Sequence, residues 1–299
     1  MTTARNHWTI GEVTITSVVE MEMPVPPDVV LGAATPEQVV AHSWLIPDFA
    51  TATGDINMRI QLLVIESCGR TIAVDTCIGN SKVRTSPFFD NMSTPFLDAF
   101  ADAGFDRTTI DTVACTHLHV DHCGWNTTLV DGTWLPTFPN ARYLFNAVEV
   151  AHWDQYGVHE DGDVFGDSVK PILDAGLADL IDAPHEITPE VRFVPTPGHS
   201  PGHMSIEIES QGERAFITGD VMHHPLQCAI PDLASNFDSS EAAARSMRRQ
   251  VLAQKSDTDW LVIGTHFGGA GAGYIKAMGD AWRFEALEQS ALNPQVGRS

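Results

Sequence analysis

This chain is built to form an α/β domain around one large core, and three features lead to that reading. Its 299 residues are 43% hydrophobic, enough for one large core or two small ones, and no linker-like stretch divides them. Short apolar runs with period-two alternation, bounded by Gly, Pro, Asn or Asp, interleave with stretches of helical spacing. Several of the strand-like runs end in a histidine or aspartate set in a turn, the placement a site at one edge of a sheet requires. Residues 1–299 are therefore read as a single domain.

The bulk chemistry narrows the partners. The formal net charge is −22, from 17 basic and 39 acidic residues. Binding nucleic acid requires a basic track for phosphate, so nucleic acid is excluded as a substrate, and an anionic membrane surface is disfavoured. The acidity reads as a solvated surface around a site for a small-molecule substrate. Cys68, Cys77, Cys115, Cys123 and Cys228 are odd in number and form no Cys-x-x-Cys, which fits reduced, mostly buried thiols in a cytoplasmic protein. Residues 1–11 lack the apolar core of a signal peptide, and no apolar run approaches the roughly 20 residues of a membrane span.

Taken in order, residues 8–23 alternate as one or two strands with a turn near Gly11 and Glu12. Pro24, Pro26 and Pro27 then open an irregular segment at about residues 21–58, long enough to cover an active site. Within it Thr35, Pro36 and Gln38 mark a helix start, with Thr35 as the N-cap. Trp44, Phe49 and, further on, Met222 are candidates to line an apolar pocket. Residues 60–66 and 70–75 form a hairpin across Ser67, Cys68 and Gly69. It ends in Asp75, either a turn cap or a partner for a metal-binding histidine. A helix is expected over 94–104, closed by Gly104, and a strand over 111–115. A turn-rich stretch leads to a strand at 142–145 and helices at 147–156 and 169–181, separated by a surface turn at Asp161, Gly162 and Asp163. Strands follow at 191–196, 204–209, 214–218 and 260–264. Asp238, Ser239, Ser240 and Glu241 resemble a capping box for a helix to about residue 254, and residues 274–285 read as a closing hairpin.

The strand at 111–115 delivers Thr116-His117-Leu118-His119-Val120-Asp121-His122, four potential metal ligands in one short stretch. Neutral imidazole and carboxylate suit zinc and neighbouring divalent ions. A segment of this kind can begin two metal sites but cannot complete them. The missing ligands stand at other strand ends: His199 in Pro197-Gly198-His199, Asp220 after Gly219, and His266 after Thr265. Together these residues suit two ions, with Asp220 as the natural bridge because it offers two oxygens from a separate strand end.

These motifs, with Pro-Gly-His-Ser-Pro-Gly-His at 197–203 and Gly-Thr-His at 264–266, resemble the metallo-β-lactamase superfamily across nearly the whole chain. The resemblance implies a four-layer αββα sandwich of two mixed sheets flanked by helices. It also implies that His117, His119 and His199 hold one ion, that Asp121, His122 and His266 hold a second, and that Asp220 lies between them. Asp75 matches the acidic strand end that supports the site. Two divalent ions are expected, with zinc the leading candidate.

Asp-His-Cys-Gly-Trp-Asn at 121–126 and Gly-Asp-Val-Met-His-His-Pro at 219–225 look most like the lactonase and methyl parathion hydrolase branch. Many acyl-homoserine lactonases carry a tyrosine three residues after the bridging aspartate, and here that position is His223. The expected activity is opening of a lactone or cleavage of an ester by a hydroxide shared between the ions. The alternatives are phosphotriester hydrolysis on the same metal pair and a member that binds ligand without turnover. Asp121 and Asp220 would hold the ions, Asp220 would orient the nucleophile, and His223 is the candidate proton or hydrogen-bond donor. His203 and His224 are expected to be structural, and Trp125 to pack beneath the site. The apolar N-terminal segment is compatible with a homodimer.

Overall fold

The structure, a computed structural model, describes residues 6–156 and 161–288, so the beginning of the polar N-terminal stretch, residues 1–5, lies outside it. The first half of the chain builds one sheet. β1 (His7–Ile10) and β2 (Val13–Val25) pair antiparallel and lead to β3 (Ile56–Ser67) and β4 (Arg70–Val74), which form the expected hairpin. β5 (Thr112–Ala114) follows, then a separate hairpin of β6 (Thr127–Val130) and β7 (Thr133–Pro136), then β8 (Arg142–Asn146) and β9 (Ala178–Ile181). The order across this sheet is β1-β2-β3-β4-β5-β8-β9. The second sheet takes its strands in chain order: β10 (His185–Thr188), β11 (Val191–Pro195), β12 (Met204–Ser210), β13 (Glu213–Ile217), β14 (Trp260–Ile263), β15 (Ala272–Met278) and β16 (Ala281–Ala286).

Side-chain alternation sets the layers. On β3, Leu63 and Ile65 join Phe193, Ile206 and Ile217 in a core between the two sheets. Leu62 and Val64 point the other way and pack with Phe96, Phe100 and Ile172. On β13, Ala215 and Ile217 face the first sheet, while Phe216 packs with Leu252 and Phe49 on the outside. Each fully buried aliphatic or aromatic side chain contributes about 1.5–3 kcal/mol, so three contiguous clusters of this kind specify one register for each sheet. The result is the expected αββα sandwich.

Strand direction brings the candidate ligands together. β4, β5 and β8 run parallel, so Asp75 and the 116–122 loop leave the same edge of the first sheet. In the second sheet β11 and β13 are both antiparallel to β12, and β14 is parallel to β13. His199, Asp220 and His266 therefore follow strand ends on one edge as well. Two backbone bonds tie these edges to each other. The Met204 N–H donates to the Thr116 carbonyl at 2.9 Å, and the Arg59 N–H to the His266 carbonyl at 3.0 Å.

Helices cover the outer faces. α1 (Pro27–Val30) and α2 (Pro36–Val40) belong to the N-terminal segment, and α2 has Thr35 as its N-cap, as expected, with Gln38 completing a capping box. α3 (Phe96–Asp102) and α4 (Ala147–Tyr156) lie near their expected positions. The helix expected over 169–181 does not form as such. A π-turn spans Phe165–Val169 and α5 covers only Lys170–Asp174. Gly176, at φ 68°, then reverses the chain so that β9 can pair in parallel with β8. α6 (Leu226–Ala229) and α7 (Glu241–Lys255) complete the outer layer of the second sheet. The irregular segment is also narrower than expected, because β2 runs on to Val25 and β3 begins at Ile56. Phe49 and Met222 are both 0% exposed, so they belong to the core rather than to an open pocket, whereas Trp44 is half-buried at its margin. All five cysteines are free thiols, and only Cys68 is exposed. No helix among the described residues is long and apolar enough to cross a membrane.

Candidate metal centre

The chain turns immediately after β5, with the His122 N–H donating to the His119 carbonyl at 3.1 Å and the Thr76 N–H to the His122 carbonyl at 2.7 Å. This turn ends the extended run of β5 and sends the candidate ligand side chains to two neighbouring spaces. In the first, His119 Nδ1 lies 3.0 Å from His117 Nε2 and 2.8 Å from His199 Nε2. In the second, His122 Nε2 lies 3.2 Å from His266 Nε2, and the Asp121 oxygens stand 3.5 and 3.6 Å from these two nitrogens. Asp220 sits between the groups. Its Oδ2 is 3.4 Å from His199 Nε2 and 3.3 Å from His122 Nε2, and its Oδ1 is 3.1 Å from His266 Nε2.

The outer nitrogen of four of these rings is committed elsewhere, which fixes the tautomer. His122 Nδ1 donates to Asp75 Oδ2 and His199 Nδ1 to Asp238 Oδ1, each at 2.9 Å, and His266 Nδ1 donates to the Arg59 carbonyl at 2.8 Å. The single hydroxyl proton of Thr116 goes to Asp75 Oδ2, so its oxygen accepts from His117 Nδ1 at 3.0 Å. In neutral rings all four Nε2 atoms then carry lone pairs into the centre. Crowded lone pairs around a buried carboxylate repel one another unless a cation lies among them, so this donor set fits divalent ions. Asp220 Oδ1 agrees with this, being buried without a hydrogen bond of acceptable geometry.

Electrostatics divides the two groups. Burial and the neighbouring imidazoles push His117, His119 and His199 well below the usual histidine range, so their rings stay neutral at physiological pH, the form that can hold a metal. Burial also opposes charge on His122 and His266, but there the carboxylates of Asp220 and Asp121 win. They raise His122 well above its usual value and His266 to about 9, so the carboxylates here favour a positive charge, carried by protons on these two rings or by an ion that takes the protons' place. Burial would raise Asp220, but the imidazoles of His122, His266 and His223 hold it well below the carboxylate range. His119 and Asp121 are the partly exposed members, so solvent reaches the centre on their side.

Asp220 is aimed by its surroundings. Its N–H donates to His203 Nε2 at 2.7 Å, while His203 Nδ1 donates to the Thr196 carbonyl at 3.1 Å. Burial keeps His203 neutral, lowering it to about 4. Gly219 at φ 52° makes this approach possible, since a Cβ there would lie 2.6 Å from His203 Nε2. His224 is likewise buried, with Nε2 on the Phe49 carbonyl at 2.8 Å. Trp125 stacks on Phe96 and donates to Glu20 at 2.7 Å. His223 lies against the centre, with Nε2 3.2 Å from Asp220 Oδ2, and neither of its ring nitrogens has a hydrogen-bond partner.

Asp238 is the residue that reading the sequence misplaces. Ser240, not Asp238, caps α7, while Asp238 turns inward to His199 and also accepts the Ser235 N–H at 2.9 Å. Beside Ser-Ser-Glu it reads as a helix cap, and nothing local marks it as the partner of a histidine far earlier in the chain.

Residues 61–266 match the metallo-beta-lactamase superfamily, and the chain belongs to that superfamily. Among curated proteins it is similar to the N-acyl homoserine lactonase AiiA of Bacillus thuringiensis subsp. kurstaki, at 23% identity over 168 residues. That match spans 52% of this chain and 60% of the relative's length. Among solved structures, AidC, a dizinc quorum-quenching lactonase in complex with a product, superposes with a TM-score of 0.77 at 20% identity, covering 96% of this chain and 98% of that one. The hydrolase AbOPH gives a TM-score of 0.76 at 19% identity, covering 96% and 99%. At these identities the structural likeness establishes the fold.

Proposed function

We propose that this protein is a dinuclear metal-dependent hydrolase that opens a lactone or cleaves an ester of a small molecule. The observation that carries the proposal is the pair of ligand groups with Asp220 between them and their outer nitrogens already committed. The lactonase names of its similar proteins point to the substrate class. His117, His119 and His199 would hold one ion and Asp121, His122 and His266 the other, with Asp220 shared. Two divalent ions, zinc foremost, would supply Lewis acidity and an activated water at neutral pH.

The protein's own groups do the rest. Asp75, Asp238, Thr116 and the Arg59 carbonyl hold four rings in the liganding tautomer. Asp220 lies where it can accept a hydrogen bond from the attacking water and so orient it. His223, buried and unpartnered beside Asp220, is placed to donate to the substrate oxygen on which charge develops or to the leaving group. A phosphotriester presents the same geometry to the pair and is the competing substrate class. The test is a panel of lactones, aryl esters, phosphotriesters and β-lactams, with Asp220→Ala as the blank. Metal-dependent turnover of lactones or aryl esters, lost in Asp220→Ala, is expected. Preference for phosphotriesters would move the assignment to the competing class. No turnover, or turnover that survives Asp220→Ala, would refute the proposed site.

A further inference from the structure

Glu149 stands in the first turn of α4 and is 0% exposed. Its hydrogen-bond partners include three N–H donors. Oε1 accepts from the Gly202 N–H at 2.7 Å, and Oε2 accepts from the Leu118 N–H at 3.3 Å and from Trp153 Nε1 at 2.7 Å. Leu118 lies between His117 and His119, and Gly202 lies three residues beyond His199, next to His203. One carboxylate therefore joins the backbones of two loops that come from different sheets. Between them these loops carry every histidine of the first ligand group and the imidazole that aims Asp220. The Trp153 ring, held by the same carboxylate, lies 5.2 Å from the His119 ring and limits its movement.

We propose that Glu149 is a positioning residue that sets the spacing of the His117, His119 and His199 nitrogens by clamping the two loops at Leu118 and Gly202. The inference rests on the proposed metal-binding role of those histidines. Metal–nitrogen bonds of about 2.0–2.1 Å leave little room for loops that drift apart. Both glutamate oxygens are used as acceptors, and this is what separates the clamp from simple packing. Glutamine fills the same volume but has one acceptor oxygen and one NH₂, so it must present N–H to N–H either at Gly202 or at the Leu118 and Trp153 donors.

The test compares wild type, Glu149→Gln and Trp153→Phe. Zinc affinity is measured by chelator competition for each ion, amide exchange is followed at Leu118 and Gly202 in metal-free protein, and thermal melting confirms folding. Glu149→Gln is expected to weaken one ion by about 10- to 100-fold, the usual cost of losing an outer hydrogen bond at a metal site, while the other ion changes far less. Exchange at Leu118 and Gly202 should accelerate in the same variant. Trp153→Phe keeps both loop bonds and should change affinity less. Unchanged affinities and unchanged exchange in Glu149→Gln would overturn the clamp. If Glu149→Gln does not fold, wild-type exchange decides: the two amides should open together at one slow rate, and independent opening would overturn the proposal. Wild-type protein that binds no divalent ion would instead refute the metal centre itself.

Discussion

Replacing Asp75 by asparagine separates the chemistry of the support from its shape. Asp75 sits at φ 51°, a backbone conformation that asparagine also tolerates, so the substitution does not strain the turn. The side chain is buried. Oδ1 accepts the Thr116 N–H at 2.8 Å, and Oδ2 accepts both the Thr116 hydroxyl and His122 Nδ1 at 2.9 Å. A carboxamide keeps one oxygen. With its NH₂ at the Oδ2 position it would donate to His122 Nδ1, and the ring proton would move to Nε2, where it points into the centre. With its NH₂ at the Oδ1 position it would oppose the Thr116 N–H. Either arrangement loses at least one buried bond to a charged acceptor, about 1.5–3 kcal/mol. At about 1.4 kcal/mol per decade this is roughly a 10- to 100-fold loss of affinity for the ion proposed to lie among His122, Asp121 and His266. Chelator competition with zinc reads the change directly, and turnover at limiting metal should fall with it. An Asp75→Asn protein that binds both ions as tightly as wild type would show that His122 does not depend on this carboxylate.

Three further outcomes are expected. Leu63→Ala, in the core between the sheets, should lower stability by about 2–5 kcal/mol in denaturant titration while leaving metal stoichiometry intact; a loss below about 1 kcal/mol would mean that the core there is loosely packed. Lys82 is buried beside Asp167 at 3.2 Å and over the Trp134 ring at 3.9 Å, and burial, only partly offset by Asp167, lowers it to about 8. Its unfolded value is about 10.4, so the unfolded chain binds more protons between about pH 8 and 10. The lysine therefore destabilises the fold below that window, and the penalty fades as pH rises through it. The stability of wild type relative to Lys82→Met should improve by on the order of 3 kcal/mol across that range, and a flat difference would contradict the argument. His223→Phe should slow esters with poor leaving groups more than p-nitrophenyl esters, whereas equal losses would remove His223 from the donor role.

The candidate ligands could be proposed from the sequence because the signals that mark them are local in character. Each stands at the end of an apolar strand, in a turn rich in Gly, Pro or Thr, and strand ends at one sheet edge converge by topology alone. The supporting carboxylates divide on the same ground. Asp75 announces itself as an acidic residue at the end of a buried strand. Asp238 and Glu149 act through contacts with residues far away in sequence, and locally each has an ordinary reading, as a helix cap or a first-turn acid. The stretch at 169–181 misleads for a related reason. Its apolar spacing suits a helix, but pairing with Tyr143–Asn146 recruits its end as a strand once Gly176 has turned the chain. Phe49 and Met222 read as pocket candidates only because sequence does not show that the N-terminal segment packs down on the outer face of the second sheet.

Anomalous diffraction from crystals of the protein grown with zinc addresses the central claim most directly. Two peaks are expected, about 3.5–4 Å apart, one among His117, His119 and His199 and the other among Asp121, His122 and His266, with Asp220 reaching both. A single peak, or two peaks that leave Asp220 outside their coordination, would contradict the paired centre.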